Sequence, residues 1–344
     1  MRVDVIVNDE PNGSFMGVTS KTIWGDEHRI GVGGAELAIL TLCEEWAKVG
    51  YEIVLYNNPY TSNDKFEQRP LSAFSPNDNR DVLINFRSPS EKTTVSNGLK
   101  VWFSTDQYSV GDYAKFSKFV DKIVCISRFH AMYFKVTYGI ENTIVIDLPV
   151  RVDDYKDKKI EKIPNRIIFT SIPDRGLDNL YEIWGNIKAR VPDASLVITS
   201  DYRLWGAGAL NEQHKVKWMK HSIAFLGAIP RAKLIEEELM AQILAYPSNY
   251  EELFCISCAE AQVAGAFPIT TRIGALETTN MGIIVDGNMQ NGVTKKLFVD
   301  NIARLLEEPK LLFSKQDEVR QKALERFAPD KILVEWDKRI FKDG

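Results

Sequence analysis

Two carboxylates are the first residues of this sequence whose type and spacing could do chemistry. Glu252 and Glu260 are separated by an apolar segment of seven residues, which follows the strand-like run Ile243–Tyr246. If a helix begins near Cys255, Glu260 projects from its second turn, and the first amides of the helix are free to bind an anion. A carboxylate beside an anion site is favourable when it binds hydroxyl groups, which indicates a polyhydroxy ligand that carries phosphate. A solvent-exposed acidic loop is the competing interpretation.

A glycine-rich segment, Gly31–Gly34, is a second candidate phosphate site. It precedes an amphipathic helix that we predict to end near Val49, with Gly50 as its stop signal. Glycines ahead of a helix remove Cβ atoms where a ligand must come close. The spacing differs from Gly-x-Gly-x-x-Gly, so a nicotinamide dinucleotide site is not favoured. A flexible loop is the alternative.

Cysteines and histidines give little support for metal or redox chemistry. The four cysteines are Cys43, Cys125, Cys255 and Cys258, and each lies in an apolar segment. Such thiols pack as small hydrophobic side chains and remain free in a reducing compartment. The Cys-x-x-Cys pair has no second Cys or His pair, so packing is preferred over a metal or redox role. The histidines are scattered, and His130 is interpreted as structural. We therefore expect neither a metal ion nor a resident cofactor.

Composition restricts the class of protein. The 344 residues, 44% of them apolar, are enough for two hydrophobic cores, and the formal charge of −4 argues against a strongly basic nucleic-acid binder. Residues 1–150 contain 15 Lys and Arg against 19 Asp and Glu, whereas residues 151–344 contain 28 of each kind. The longest uncharged stretch, Leu239–Tyr250, is too short for a membrane-spanning helix, and no signal peptide is recognisable. We expect a cytoplasmic protein.

Short β-branched runs alternate with helical patterns, which predicts an α/β protein with two Rossmann-like, doubly wound parallel sheets. The predicted strands are Val3–Val7, Glu52–Tyr56, Val82–Phe86, Val101–Ser104, Lys122–Ile126, Thr143–Ile146, Arg166–Thr170, Ser195–Thr199, Ile223–Leu226, Ile243–Tyr246, Phe267–Thr271 and Gly282–Val285. A charged segment with a proline near each end, residues 151–164, is the predicted linker. It separates a domain over residues 1–150 from one over residues 165–329. The tail is predicted to be helical, with a fresh helix from Pro329.

The region around the two carboxylates resembles the nucleotide-sugar signature of GT-B glycosyltransferases, particularly the retaining family 4, or group 1, enzymes. The similarity rests on Glu252, seven residues, Glu260 and the run Ala261–Pro268, which has one residue more before its proline than the family pattern. The turn Arg272–Glu277 and the segment Gly33–Glu36 match two further landmarks in outline. The resemblance implies a GT-B architecture in which the second domain binds the nucleotide sugar and the first binds the acceptor. It also implies that a C-terminal helix in residues 330–344 crosses back to the first domain.

The resemblance implies a role for each candidate residue of the second domain. Glu252 would contact hydroxyls of the transferred sugar, Glu260 the ribose of the nucleotide, and Arg175 the diphosphate. The other donor-binding residues that it implies are Gly33 and Gly34 of the first domain, Leu253, Phe254 and Cys255, together with Ile229 in a segment that resembles the one near the nucleobase. The second arginine of the family's phosphate clamp is missing, because Thr170 or Ser171 stands in its place. Arg272 is the hypothetical replacement.

A second departure lies in the first domain. Thr105 stands where many relatives have a histidine, although the aspartate that follows is present as Asp106. The resemblance makes Asp106 a candidate catalytic residue beside Glu252 and Arg175. Capping of the next helix is the alternative role of this carboxylate.

We therefore expect a metal-independent transferase that moves a sugar from a UDP- or GDP-linked donor to an acceptor hydroxyl with retention of configuration, in the synthesis of a surface polysaccharide or glycoconjugate. The acceptor is a saccharide, a lipid-linked glycan or another hydroxyl compound, and peripheral binding at the cytoplasmic face of a membrane is compatible with this. Transfer to hydroxymethylated pyrimidines of DNA is one alternative, and the acidic first domain argues against such a partner. A non-catalytic relative that binds sugar nucleotides is another, which the departures at Thr170 and Thr105 leave open.

Overall fold

The computed structural model describes residues 1–7, 17–25, 30–62, 65–108, 110–205 and 222–342. The chain divides into two compact units. Unit 1 comprises residues 1–23, 32–149 and 329–344, and unit 2 comprises residues 24–31 and 150–328. The charged segment at residues 151–164 is thus part of unit 2.

Strands and helices alternate along the described ranges. The strands are β1 (Arg2–Val7), β2 (Glu52–Tyr56), β3 (Glu67–Arg69), β4 (Val82–Phe86), β5 (Leu99–Phe103), β6 (Lys122–Cys125), β7 (Thr143–Val145), β8 (Arg166–Phe169), β9 (Ser195–Ile198), β10 (Ile223–Phe225), β11 (Ile243–Tyr246), β12 (Phe267–Thr271) and β13 (Ile283–Val285). The α-helices are α1 (Gly34–Lys48), α2 (Glu91–Thr94), α3 (Tyr113–Phe116), α4 (Arg128–Tyr138), α5 (Leu177–Arg190), α6 (Arg231–Met240), α7 (Ile256–Val263), α8 (Leu276–Thr279), α9 (Gly292–Glu307), α10 (Pro309–Arg326) and α11 (Pro329–Trp336). Short 3-10 turns include Val152–Tyr155 and Pro173–Arg175, and a π-helical turn, Asp337–Phe341, follows α11.

Unit 1 is built on a seven-stranded parallel sheet with the order β3-β2-β1-β4-β5-β6-β7. The sequence predicts six of these strands, with small differences at their ends. It misses β3, because Glu-Gln-Arg has no apolar pattern. An edge strand such as β3 needs only one ladder partner, and among the described strands β3 pairs with β2 alone.

The central strands of this sheet are buried on both faces, which explains their nearly continuous apolar sequences. Asn85 on β4 is a buried polar exception, and Asp4 on β1 is a buried charged one. Its carboxylate is fully buried and pairs with Arg80 at 2.8 Å and with Arg2 at 3.0 Å. A buried carboxylate is tolerated when charged donors surround it, so these two ion pairs allow Asp4 to lie inside the sheet.

The C-terminal helix belongs to unit 1, which confirms that it returns to the first domain. Trp336 of α11 is fully buried and packs edge-on against Trp46 of α1 and Phe103 of β5, with ring centroids 5.2 and 5.1 Å apart. The ammonium of Lys122 on β6 donates to two carbonyls of the π-helical turn that follows, those of Arg339 and Ile340. Aromatic edge-to-face pairs and a capped C-terminus therefore fix this helix.

Unit 2 is built on a six-stranded parallel sheet with the order β10-β9-β8-β11-β12-β13. In both sheets the strand order reverses beside the first strand, between β1 and β4 in unit 1 and between β8 and β11 in unit 2. Loops leave the carboxyl ends of such neighbouring strands in opposite directions, and the crevice between them binds ligands in doubly wound folds. The sequence prediction of two doubly wound parallel sheets is confirmed.

The cysteines are free and buried, which agrees with the prediction that they are packed thiols. None of the helices in the described ranges is long and apolar enough to cross a membrane. Within the same ranges, no group of three or more His, Cys, Asp or Glu side chains could hold a metal ion.

Replacing Trp336 with alanine should destabilise unit 1 by about 3–5 kcal/mol, the usual cost of emptying a buried aromatic site. Equilibrium unfolding in urea, followed by circular dichroism, measures this loss. Val334 on the same helix is exposed, so Val334→Ala is a matched control with an expected change within about 0.5 kcal/mol. A similar loss in both variants would contradict the packing role of Trp336.

Candidate functional site

The two loops that carry the main donor-site candidates leave neighbouring strands of unit 2. β8 leads into residues 170–176, which include Arg175, and β11 leads into residues 247–255, which include Glu252. Because β8 and β11 flank the reversal in strand order, their loops lie side by side at the carboxyl edge of the sheet. The fold therefore brings Arg175 and Glu252 together.

Glu252 is held through one of its two carboxylate oxygens. The hydroxyl of Tyr246, the last residue of β11, donates to Oε1 at 2.6 Å. Nη1 of Arg175 lies 3.4 Å from the same oxygen. Within the described ranges no group donates to Oε2 of Glu252. The carboxylate is thus oriented by a fixed hydroxyl and a cation, and one oxygen can accept hydrogen bonds from a ligand.

Arg175 is itself held between two groups. Its guanidinium carbon lies 3.2 Å from the centre of the Tyr250 ring, and its other neighbour is the Glu252 carboxylate. Burial lowers the pKa of Arg175, but the negative charge of Glu252 and nearby groups outweighs this effect, so the pKa is raised above its usual value. A cation that is fixed in this way can bind phosphate oxygens with little loss of side-chain freedom.

Two glycines allow the backbones of the site to approach closely. Gly176 follows Arg175 with φ +113°, and a Cβ there would lie 2.6 Å from the carbonyl oxygen of Pro247. Gly274 has φ +53°, and a Cβ there would lie 2.5 Å from the carbonyl oxygen of Glu252. That carbonyl accepts a hydrogen bond from the amide of Ala275 at 2.7 Å. The turn at Gly274 therefore packs against the backbone of the Glu252 loop and holds it through this hydrogen bond.

Helix α7 begins at Ile256, so Glu252 precedes the helix and Glu260 lies in its second turn, as the sequence predicts. The amides of Leu253, Phe254 and Cys255 donate to no acceptor in the described ranges. Phe254 is buried and packs edge-on against Phe327, with centroids 5.7 Å apart. Free amides at the positive end of a helix suit an anion.

The position of the missing clamp arginine holds a buried hydroxyl. Thr170 lies at the carboxyl end of β8, and its Oγ1 has no hydrogen-bond partner among the described residues. Thr199, at the end of the adjacent strand β9, has an unpartnered Oγ1 as well. Both hydroxyls are fully buried, and neither supplies positive charge.

Arg272, the hypothetical replacement, is already paired. Its guanidinium binds Glu277 at 2.6 Å and also binds Asp286, and nearly half of the side chain is exposed. A diphosphate would compete with these two carboxylates for Arg272. Its role in donor binding stays a prediction.

Glu260 is held by a residue that the sequence analysis missed. Nη1 of Arg231 donates to Oε1 of Glu260 at 2.8 Å, and Nε of the same guanidinium donates to Asp154 at 2.9 Å. Arg231 and Glu260 are almost completely buried. A signal was available, because Arg231 is the first residue of α6, where a cation is unfavourable to the helix dipole and calls for a specific partner.

A second buried carboxylate lies in the same region. Glu238 is fully buried and accepts a hydrogen bond from the hydroxyl of Tyr155 at 2.6 Å. Burial and, to a smaller extent, the charge of Glu260 raise the pKa of Glu238 to about 8. Lys162 donates to three carbonyls nearby, and burial followed by the charge of Arg320 lowers its pKa to about 7.

The candidate base-binding segment follows β10. Ile229 is half-buried there, and the amide of the preceding Ala228 donates to the carboxylate of Asp201 at 2.9 Å. Arg203 binds the same carboxylate at 2.7 Å. The segment is thus fixed by Asp201 through its backbone, and the contact of Ile229 with a base stays a prediction.

In unit 1, Asp106 follows β5. Its carboxylate accepts hydrogen bonds from the amide of Gln107 at 2.7 Å and from the hydroxyl of Tyr113 at 3.3 Å. The alternative role as a helix cap is wrong, because Asp112 caps α3. His130 holds the same loop, since its Nε2 lies 3.1 Å from the carbonyl oxygen of Asp106. Burial lowers the pKa of His130 to about 4, which agrees with a neutral, structural histidine.

Gly33 and Gly34 begin α1, as expected, but a carboxylate already lies against them. A Cβ on Gly33 would lie 2.5 Å from Oε2 of Glu36. Glu36 pairs in turn with Arg87 at 2.6 Å. An anion at this helix start would meet the Glu36–Arg87 ion pair, and donor binding by Gly33 and Gly34 stays a prediction.

The comparison with protein families finds one match in the second half of the chain. Residues 156–326 match the family described as glycosyl transferases group 1. This range contains the loops of Arg175 and Glu252 and the helices α6 and α7. No curated protein sequence matches the chain.

Solved structures share the fold over the whole chain. Sucrose-phosphate synthase from Thermosynechococcus elongatus has a TM-score of 0.70 and 13% identity, with 100% of both chains covered. HepE from Anabaena, in complex with UDP and glucose, has a TM-score of 0.70 and 12% identity over 99% of both chains. A glycosyltransferase from Rickettsia africae has a TM-score of 0.70 and 16% identity, with 100% of this chain and 99% of that one covered. At such low identity the likeness shows the fold, which is GT-B.

The buried acid Glu238 predicts a specific pH dependence of stability. Its pKa is raised from 4.5 to about 8 in the folded protein. The stabilisation from the bound proton is therefore complete below pH 4.5 and is lost as the pH rises through about 8. Glu238→Gln stays neutral and keeps an acceptor for Tyr155, so it should gain stability relative to the native protein between pH 5 and 9. Urea unfolding at several pH values tests this, and a constant difference would contradict it.

Proposed function

We propose that this protein transfers a sugar from a nucleoside diphosphate sugar to an acceptor hydroxyl. The premises are that residues 156–326 belong to the group 1 glycosyl transferases and that the chain has the GT-B fold. One observation carries the proposal. The Glu252 carboxylate, oriented by Tyr246 and Arg175, lies immediately before the free amides that lead into α7. A carboxylate that can accept hydrogen bonds from hydroxyls, followed directly by amides that can bind an anion, suits a sugar that is linked to phosphate.

Each part of the site has a proposed task. Oε2 of Glu252 accepts hydrogen bonds from hydroxyls of the transferred sugar, and Glu260 accepts one from the ribose. Arg175 and the amides of Leu253, Phe254 and Cys255 bind the diphosphate. Ile229 lies near the base. These tasks agree with the free oxygen of Glu252, the fixed cation and the unused amides.

The proposed reaction breaks the bond between the anomeric carbon and the phosphate oxygen. The electron pair of that bond goes to the departing diphosphate, and an oxocarbenium-like state develops on the sugar. Arg175 and the α7 amides stabilise the growing negative charge. The acceptor oxygen then bonds to the anomeric carbon, and its proton passes to the leaving phosphate. Attack from the same face retains configuration and needs no covalent carboxylate intermediate.

The donor base and the acceptor complete the proposed reaction. HepE was solved with UDP and glucose, and we propose a UDP- or GDP-linked donor for this chain. Unit 1 is the proposed acceptor-binding unit, with Asp106 as a candidate ligand. A glycoconjugate or polysaccharide acceptor suits the net charge of −4 in residues 1–150 better than a polyanion does.

Glu252→Ala should remove nearly all sugar transfer and leave the protein folded, because the variant lacks the carboxylate that is proposed to bind the transferred sugar. A thermal-shift panel of UDP-, GDP-, ADP- and dTDP-sugars first identifies the donor, since a bound donor stabilises the folded state. Release of free nucleoside diphosphate from that donor then measures turnover in both proteins.

Glu251→Ala is the matched control, because Glu251 is exposed and precedes Glu252 directly. It should keep native turnover. Full activity in a folded Glu252→Ala protein would refute the role of this carboxylate. A native protein that binds one donor but never turns it over would instead support a non-catalytic sugar-nucleotide-binding protein, the alternative that the departures at Thr170 and Thr105 leave open.

Arg175→Ala should weaken binding of the nucleoside diphosphate by about 10- to 100-fold, as expected for a lost charge-assisted contact, and should leave binding of the nucleoside unchanged. If Arg272 replaces the missing clamp arginine, Arg272→Ala weakens diphosphate binding as well. Isothermal titration calorimetry with both ligands measures these effects.

Arg190→Ala is the control for Arg272. Both arginines are 44% exposed and pair with two carboxylates, but Arg190 lies on α5, between Glu307 and Asp300. Unchanged diphosphate affinity in Arg272→Ala, together with a large loss in Arg175→Ala, would eliminate the clamp role of Arg272.

A further inference from the structure

The ion pair between Arg231 and Glu260 leaves one carboxylate oxygen available. Nη1 of Arg231 binds Oε1 of Glu260 at 2.8 Å. Within the described ranges no group donates to Oε2, and this oxygen is not among the fully buried atoms that lack a partner. Glu260 therefore has the same arrangement as Glu252, with one oxygen bound by protein groups and one open to a ligand.

Arg231 is anchored from a second side. Its Nε donates to Asp154 at 2.9 Å, and Arg151 lies 3.2 Å from the same oxygen of Asp154. The side chain of Arg231 is only 4% exposed. Two carboxylates therefore fix the guanidinium plane, and the plane fixes the orientation of Glu260.

Stability alone does not account for this arrangement. Nη2 of Arg231 is buried and has no hydrogen-bond partner among the described residues. The cation also lies in the first turn of α6, against the dipole of that helix. Buried ion pairs can often be replaced by apolar residues without loss of stability. Arg231 is incompletely hydrogen-bonded and unfavourably placed, so its presence is better explained by a functional role than by stabilisation of the fold.

We infer that Arg231 is a positioning residue that orients Glu260 so that its free oxygen accepts a hydrogen bond from a ribose hydroxyl of the donor nucleotide. The inference rests on the proposed function, because it requires Glu260 to bind ribose. Without Arg231 the carboxylate could rotate, and its charge would lose its fixed partner. Recognition of the ribose hydroxyls would then be lost, whereas contacts with the base and the diphosphate would persist.

The test compares a ribonucleotide with its dideoxy counterpart. The full-length chain is titrated with UDP or GDP, whichever base the donor panel selects, and with the matching 2′,3′-dideoxynucleoside diphosphate. The native protein should prefer the ribonucleotide by about 10- to 100-fold, as expected for a hydrogen bond to a charged acceptor. Arg231→Lys keeps the positive charge but cannot bind two carboxylates with a planar fork. It should reduce the preference to near unity and leave the dideoxy affinity unchanged.

Further variants separate positioning from a structural role. Arg166→Lys is a matched control, because Arg166 pairs with Glu237 on the same helix α6, and it should keep the native preference. Glu260→Gln should abolish the preference, and adding Arg231→Lys to it should change nothing more. Asp154→Asn removes one anchor of Arg231 and should reduce the preference partly, which provides a test even if the Arg231 variant does not fold.

The possible outcomes distinguish the inference from the function that it rests on. A native protein without a ribose preference would refute the ribose role of Glu260, and the positioning role of Arg231 with it. A native preference that survives in Arg231→Lys, or in Asp154→Asn when the other variant is unfolded, would overturn the inference and leave the proposed function intact. Equal losses for both nucleotides would show that Arg231 is merely structural and would overturn the inference as well.

Discussion

A carboxylate next to an anion-binding helix start repels the anion unless a cation neutralises it, and unit 2 is arranged around this constraint. Glu252 directly precedes the free amides at the start of α7, and Arg175 lies against its carboxylate. Because Arg175 lies between Glu252 and the Tyr250 ring, its guanidinium is held in place beside the carboxylate. The carboxylate proposed to bind hydroxyls and the cation proposed to bind phosphate thus position each other. The same principle applies at Glu260, where Arg231 balances the second carboxylate of the candidate site.

The segment that leads into unit 2 is tied to the same two helices. Asp154 binds Arg231 of α6, Tyr155 binds Glu238 of α6, and Lys162 donates to the carbonyls of Leu239, Ala241 and Ala264 at the C-termini of α6 and α7. An ammonium at the negative ends of two helices is electrostatically favourable. The segment over residues 151–164 therefore contributes to the environment of Glu260 and is more than a connection between cores.

The sequence predicts the fold well because parallel strands buried on both faces are short apolar runs, which are visible without tertiary information. It fails at β3, whose polar sequence is paired only at the sheet edge. Glu252 and Glu260 stand out by their spacing, but their partners do not. Tyr246 resembles any buried strand residue, and Asp154 looks like part of a solvated charged stretch. Arg231 meets Glu260 only because β8 and β11 place α6 beside α7, which no local pattern can reveal.

The Cys-x-x-Cys spacing of Cys255 and Cys258 is best explained by packing and backbone shape. Cys255 has φ +71°, a left-handed conformation that costs a side-chain-bearing residue about 1–2 kcal/mol. Both thiols are buried, and burial followed by the charge of Glu252 raises the pKa of each, which disfavours the thiolate that metal binding or redox chemistry needs. The strain at Cys255 lies between the free amides and the first residue of α7, and strained backbone is concentrated at functional sites. Cys255 and Cys258 both belong to the buried core of unit 2, so packing accounts for their spacing, and the conformation of Cys255 shapes the turn before α7.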